Sequence, residues 1–289
     1  MQTEPTPGTL YVVGTPIGNL EDITFRAVRI LQTVDVIAAE DTRHTGKLLH
    51  HFQIKTQQIS YHDHNQQRRI PELLNQLHAG KAIALVTDAG MPGISDPGYY
   101  LIKACIDAGV SVVPIPGATA GITALSASGL LTERFVFEGF LPAKGAQRHL
   151  RLDILTRETR TLIFYEAPHR LRQTLQDLAI ALGEERQVVL ARELTKLHEE
   201  FWRGTIGEAL AHYQERQPQG EFTLVVAGIQ LVTPMLSEEA LKAELKQLLK
   251  QGESRSQASR QLAKVTSLSR QQIYQLALEI PDSQLPEVE

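Results

Sequence analysis

Five times in its first 115 residues the chain sets down a short apolar run, and between the runs lie helical patterns. The runs are Leu10-Tyr11-Val12-Val13, Val36-Ile37-Ala38-Ala39, the weaker Gln58-Ile59-Ser60, Ala82-Ile83-Ala84-Leu85-Val86 and Val110-Ser111-Val112-Val113. Strands that are apolar on both faces, without polar alternation, belong in a parallel sheet covered by helices on each side. The pattern therefore predicts the α/β class. Helices are expected over Asp22–Leu31, Gly46–Phe52, Pro71–Leu77 with the proline in the first turn, and Tyr99–Ala108 closed by Gly109.

The rhythm changes after residue 133. Strands are expected at Phe135-Val136-Phe137, Thr161–Tyr165, Val188–Ala191, Glu200–Gly204 and Phe222–Val226, with helices over Arg148–Leu155 and Leu171–Leu182. No room for a helix separates Val188–Ala191 from Glu200–Gly204, so these two should pair antiparallel. The expected architecture is two α/β domains, a parallel sheet over 9–125 and a mixed sheet over 134–231 that completes a cleft. The boundary falls near Ser126–Glu133. Val232-Thr233-Pro234 reads as a linker to a helical module over 236–282. There, Ser254-Arg255-Ser256-Gln257 and Ser269-Arg270-Gln271-Gln272 are capping-box patterns, with the short turn Thr266-Ser267-Leu268 between the helices. The module reads as helix-turn-helix-like or as a solvated three-helix cap.

A length of 289 residues with 42% hydrophobic and 21% charged residues is globular composition, which excludes a disordered, collagenous or coiled-coil chain. The single Cys105 excludes a disulfide scaffold and a cysteine zinc site and fits a reducing, cytoplasmic setting. The start, Met1 to Gly8, lacks the apolar segment of a signal peptide. Ala108–Thr132 carries no charge, but Pro114, Pro116, Gly117, Gly121 and Gly129 break it, so no membrane span is expected. A formal charge of −4 excludes bulk basicity as an argument for nucleic acid. Two local patches remain. Lys144–Arg172 holds seven Lys/Arg against three acids, and Lys246–Gln275 holds six against one. Phosphate backbones attract such patches irrespective of sequence.

Three loops rich in glycine follow strands of the first sheet: Gly14–Asn19, Asp88–Gly93 and Pro116–Gly121. In an open parallel sheet, ligands bind outside the carboxyl ends of the strands. Glycine there lets a ligand approach backbone donors. None of the loops is a phosphate-binding P-loop or a dinucleotide fingerprint. Together they point to a nucleotide-like ligand. Glu40-Asp41-Thr42-Arg43-His44 and Tyr61-His62-Asp63-His64-Asn65 sit at the same edge. A spacing of two between His62 and His64 on a loop is poor for zinc, and no metal is expected. Glu166 and Arg192-Glu193-Leu194-Thr195-Lys196 follow strands of the second half. No nucleophile elbow occurs. The residues themselves leave the reaction open.

Taken in order, Leu10–Leu20, Ala38–Arg43, Asp88-Ala89-Gly90 through Ser95-Asp96-Pro97-Gly98, Glu138–Pro142, Phe164-Tyr165-Glu166 and Ala191–Lys196 resemble the bacterial ribosomal RNA small subunit methyltransferase I family. These are 2′-O-ribose methyltransferases with the tetrapyrrole methylase fold. The resemblance runs from about residue 9 to 230, and the helical tail matches the family's own. Met91 stands where the family has Thr, and Pro116-Gly117-Ala118-Thr119 replaces Pro-Gly-Pro-Ser with the hydroxyl retained. The resemblance implies S-adenosylmethionine between the two domains, a cytidine ribose of 16S rRNA in the 30S subunit as substrate, and a homodimer. By position the cofactor would meet Ile17, Asp88, Gly90, Ile94, Thr119, Ala120, Tyr165, Glu193 and Thr223. Candidate general bases are Glu40, Glu166 and Lys196, the last only with a depressed pKa. Candidate RNA contacts are Arg43, Lys144, Arg255, Arg260, Lys264 and Arg270. Two alternatives remain: a methylase of this fold acting on a small molecule or protein, and an RNA-binding module without activity.

Overall fold

A computed structural model describes residues 5–229, 237–266 and 268–281, with the side chain of Lys264 excepted. The linker at 232–234 and Ser267 of the expected turn lie outside the described residues. The chain forms two compact units, one ending at Ile229 and one made of the helices that follow.

The first unit contains two five-stranded sheets. In chain order its elements are β1 (Thr9–Val13), α1 (Phe25–Thr33), β2 (Val36–Ala39), α2 (Thr42–His51), β3 (Gln58–Ser60), α3 (Gln66–His78), β4 (Ile83–Val86), α4 (Tyr99–Asp107), β5 (Ser111–Ile115) and α5 (Ala120–Ser128). The second half follows with β6 (Phe135–Phe140), α6 (Ala146–Leu155), β7 (Thr161–Glu166), α7 (Leu171–Leu182), β8 (Gln187–Arg192), β9 (Glu200–Thr205), α8 (Ile206–Glu215) and β10 (Phe222–Val226). The first sheet has the order β3-β2-β4-β1-β5, and every pairing is parallel. Its faces are covered as the apolar runs require. Tyr11 and Val13 pack with Ile30 and Leu31 of α1 and Leu48 of α2. Leu10 and Val12 pack on the other face with Leu73 and Leu77 of α3 and Leu101 of α4. The second sheet has the order β6-β7-β10-β8-β9; β6 and β7 are parallel and the rest antiparallel, β8 with β9 included.

One face of the second sheet is covered by α6, α7 and α8. The other is covered by α5, whose Ala124 and Leu125 pack with Ile163, Val189 and Val225. The helix that closes the parallel half of the sequence thus belongs to the core of the mixed half. That arrangement places the carboxyl end of β5 against the second sheet.

Several helix starts differ from the sequence expectation because caps decide them. Asn19 caps a 3₁₀ turn at Leu20–Asp22, and Thr24 Oγ1 accepts from Ala27 N at 3.1 Å, so α1 begins at Phe25 rather than Asp22. Asp41 Oδ1 accepts from Arg43 N at 2.8 Å and starts α2 four residues before Gly46. Pro71 sits inside α3, not in its first turn. It lies on the exposed face, opposite the buried Leu73 and Leu77, where the Gln67 carbonyl that it leaves without a helical donor faces water.

The second unit packs α9 (Glu238–Lys250), α10 (Arg255–Val265) and α11 (Arg270–Leu278) around Leu241, Leu245, Leu249, Ala258, Leu262, Ile273 and Ala277. Both predicted capping boxes are made: Ser254 with Gln257 and Ser269 with Gln272. Among the described residues no helix is long and apolar enough to cross a membrane.

Candidate functional site

The glycine loops meet at the carboxyl ends of β1, β4 and β5. Thr15 and Gly90 exchange backbone hydrogen bonds at 2.9 and 3.1 Å, which ties the β1 loop to the β4 loop. Gly14 and Gly117 cross backbone to backbone; a Cβ on Gly14 would lie 2.7 Å from Gly117 Cα. No Cβ fits there, and that is the physical reason for glycine at the ends of β1 and β5. The second sheet completes the enclosure. Tyr165 on β7 pairs with Thr223 on β10, which pairs in turn with Ala191 on β8. The Tyr165 hydroxyl accepts from Gly121 N at 3.1 Å and so holds the first turn of α5 to the second sheet. The rings of Phe137 and Phe140 stand edge-on to Tyr165 at 5.0 and 5.7 Å.

These elements enclose a cavity of about 470 Å³. Its wall includes Ile17, Gly90, Ile94, Thr119, Ala120, Tyr165 and Thr223, seven of the nine positions expected to meet a cofactor. Asp88 and Glu193 are not on the wall, although both brace it. Asp88 N donates to Glu40 Oε2 at 3.2 Å, and Asp88 Oδ1 accepts from Asp41 N at 3.3 Å, a reciprocal clamp between the ends of β2 and β4. Glu193 Oε1 accepts from Glu221 N at 2.9 Å and from Lys196 Nζ at 2.9 Å. Burial pushes the Glu193 carboxyl up, but the hydrogen bonds from Lys196 and Glu221 more than offset it and leave it below its ordinary range.

The three candidate bases fare differently. Lys196 is anchored to both Glu193 and Glu221, at 2.9 and 3.1 Å. Burial pulls its ammonium down, yet these two carboxylates raise it above the ordinary lysine value, the opposite of what a neutral amine base requires. Glu166 is 2% exposed, and both oxygens are engaged. Oε1 accepts from Ala167 N and pairs with Arg170, and Oε2 accepts from Thr174 Oγ1. Thr174 also accepts from the buried Arg148, so Glu166, which lines the cavity, ends a structural chain of hydrogen bonds. Glu40 is half-buried, and desolvation, followed by the Asp88 and Asp63 charges, raises its pKa against the Asp88 N–H bond.

Sequence reading gave no site role to Ser95, Asp96, Phe140 and Leu194, which it named only within motifs, or to Glu221; all five are on the cavity wall. Asp96 carried a usable signal: an acid within Ser-Asp-Pro-Gly on a loop at the ligand edge of the sheet. Phe140 and Glu221 gave none, because their placement depends on how the second sheet docks.

Neither Arg43 nor Lys144 lines this cavity. Arg43 is exposed and paired with Asp41 at 2.7 Å, and Lys144 is exposed on the loop before α6. In the helical unit Arg255 donates to the carbonyls of Ala277 and Ile280 at 3.0 and 2.8 Å, and Arg270 donates to Ser256 at 2.8 Å. Arg260 is exposed. The side chain of Lys264 lies outside the described residues. Among those residues no group of three or more His, Cys, Asp or Glu is placed to hold a metal ion.

Residues 9–210 match the family model of the tetrapyrrole (corrin/porphyrin) methylases. The chain is 61% identical over 274 residues to a ribosomal RNA small subunit methyltransferase I from Synechocystis, covering 94% of this chain and 98% of that one. It is 48% identical over 274 residues to the protein of that name from Escherichia coli O157:H7, covering 94% and 95%. Among solved structures, uroporphyrin-III C-methyltransferase from Thermus thermophilus, complexed with S-adenosyl homocysteine, superposes with a TM-score of 0.55 at 19% identity over 75% of this chain and 96% of that one. Diphthine synthase gives 0.59 at 13% identity over 76% and 90%. Those two likenesses carry the fold. The sequence relatives carry more, and with the α/β architecture and the family match they place the chain in the tetrapyrrole methylase superfamily, as a member of the ribosomal RNA small subunit methyltransferase I family.

Proposed function

We propose that this chain methylates small subunit ribosomal RNA with S-adenosylmethionine, and that the acceptor is the 2′-oxygen of a cytidine ribose near the decoding centre of 16S rRNA. The observation that carries the reading is the cavity at the carboxyl ends of β1, β4 and β5. It is bounded by backbone at Gly90, by Thr119 and Ala120 at the start of α5, and by Tyr165 and Thr223 of the second sheet. Its 470 Å³ lies within the range of pockets that bury a nucleoside-sized ligand, which is about 300–1,000 Å³. The donor set fits as well. Ile17, Ile94, Ala120 and Leu194 offer apolar surface, Thr119, Tyr165 and Thr223 offer hydroxyls, and Glu221 places a carboxylate on the wall.

S-adenosylmethionine supplies an electrophilic methyl on a positively charged sulfur. This chain's residues bind and orient. Ile17, Gly90, Ile94, Thr119, Ala120, Tyr165 and Thr223 would hold the donor, with Asp88 and Glu193 fixing their loops from behind. Holding two reactants in attack geometry is worth about 7–11 kcal/mol of barrier, so positioning is the main contribution asked of the site. Exposed basic side chains, Arg43, Lys144 and Arg260 among them, would meet RNA phosphates. The substrate is the 30S subunit and the working form a homodimer.

Three measurements test the reading. Calorimetric titration with S-adenosylmethionine should show one site per chain; no uptake leaves the RNA-binding alternative. Methyl transfer should go to 30S subunits rather than to small tetrapyrroles or proteins. Mass spectrometry of nuclease fragments should locate the methyl on a cytidine ribose; a methyl on a base would overturn the 2′-O assignment.

Arg260 offers a separate check on the helical unit. Arg260→Glu should weaken RNA binding and reduce the slope of log affinity against log salt by about 1, as expected for one lost phosphate contact. An unchanged slope would mean that Arg260 meets no phosphate. The solvated-cap reading predicts that outcome.

A further inference from the structure

A ribose hydroxyl must lose its proton when its oxygen is methylated, and none of the three bases suggested by sequence is free to take it. Lys196 is held as an ammonium, Glu166 has both oxygens engaged, and Glu40 is bonded to Asp88 N and is not on the cavity wall.

Glu166 shares the cavity wall with Asp96, but both its oxygens are engaged, whereas Lys196 and Glu40 do not line the cavity. Asp96 differs from all three in presenting an unengaged carboxyl there. It lies on the cavity wall, on the loop between β4 and α4, beside Ile94 and Ser95. Gly93 N donates to Pro97 O at 3.2 Å and closes this loop around it. Ser95, directly before it, has a φ of 62°, in the left-handed region. Strain of that kind in a residue other than glycine persists only where surrounding structure enforces it, and it concentrates at ligand sites. Asp96 is half-buried, and among the described residues no hydrogen bond or ion pair engages its carboxyl. We propose that Asp96 accepts the proton of the substrate hydroxyl at this cavity, a role that rests on the methyl-transfer reading above.

The surroundings suit the task. Burial, then the charges of Glu40 after β2, Asp88 after β4 and Asp63 after β3, push the Asp96 carboxyl up to about 7. Tyr165 of β7 faces it from the second sheet and stays protonated, because burial raises its own pKa. His62 lies beside Glu40 and partly offsets the negative field there. A base whose pKa lies near the working pH combines a useful ionised fraction with a strong pull on the proton. In the reaction the hydroxyl oxygen bonds to the methyl carbon as that carbon's bond to sulfur breaks. The sulfur keeps the electron pair, and the proton passes to a carboxylate oxygen of Asp96.

Asp96→Asn and Asp96→Glu, compared with the wild-type chain, test this. Asp96→Asn should lower single-turnover methyl transfer to 30S subunits by about 10²–10⁴-fold. Its calorimetric affinity for S-adenosylmethionine should stay within about threefold of wild type, because the lost interaction belongs to the transition state. Asp96→Glu should recover part of the rate. The wild-type rate should fall tenfold per pH unit below about 7 and level off above it, and this dependence should vanish in Asp96→Asn.

A readout without substrate follows from linkage. The folded group holds its proton up to about pH 7 while an unfolded Asp releases it near 3.8, so wild-type stability is lost as pH rises between the two. Asp96→Asn should therefore raise Tm more at pH 8 than at pH 5. If Asp96→Asn binds S-adenosylmethionine normally and methylates within about threefold of wild type, the role is overturned and the functional reading stands. An equal change in Tm at both pH values also overturns it. A wild-type chain that takes up no S-adenosylmethionine overturns the functional reading and this role with it.

Discussion

Thr223→Trp is expected to lower the affinity for S-adenosylmethionine by about 100-fold or more, a change of about 2.8 kcal/mol. Thr223 is 4% exposed and is the second residue of β10. Its two cross-strand neighbours, Tyr165 and Ala191, both line the cavity, so an indole at 223 projects into the same space. Neighbours that share a sheet face cannot turn the ring away without flipping the strand register. The cavity of about 470 Å³ accepts the ring without displacing core side chains. Calorimetry with the donor, alongside a melting curve, checks both halves. Tight binding by a folded Thr223→Trp chain would show that the donor lies elsewhere and would remove the central observation behind the proposed function.

The second large effect falls on stability. Glu166→Ala should destabilise the first unit by about 3–5 kcal/mol, the usual cost of removing one partner from a buried ionic pair. It strips the acceptor from Thr174 Oγ1, Arg170 and Ala167 N, and it interrupts the chain that continues through Arg148 to Asp177 and the Pro142 carbonyl. Arg148, 5% exposed, keeps Asp177 and the Pro142 carbonyl, so the donors left without an acceptor are Thr174 Oγ1, Ala167 N and the Arg170 Nε. At about 2–4 °C per kcal/mol for a unit of this size, Tm should fall by on the order of 10 °C. Well below that lowered Tm, the variant's kcat should stay within a few-fold of wild type. A loss of activity without a loss of stability would instead restore Glu166 as a base.

The difference between Glu166 and Asp96 illustrates how far the sequence can be read. Both are acids on loops or strand ends at the ligand edge, and their neighbours along the chain do not say which carboxyl is engaged. The structure separates them through Thr174, eight residues after Glu166, and through the carboxylates at 40, 63 and 88 that surround Asp96. Lys196 shows the same limit. Against burial, Glu193 and Glu221 raise its pKa, and Glu221 is 25 residues away in the chain but 3.1 Å away in space.

The sequence by itself determined the parallel sheet, the antiparallel β8–β9 pair, the capping boxes of the helical unit and the three glycine loops. Each of these is a local matter of side-chain periodicity, cap chemistry or a missing Cβ, and the chain encodes them within a few residues. The tertiary structure alone decided that α5 packs on the second sheet, that Tyr165 reaches Gly121 N, and which acids are neutralised and which stand open on the cavity wall. Those outcomes depend on burial and on charges brought together from distant strands. Desolvation and Coulomb energy follow distance through space and take no account of separation along the chain.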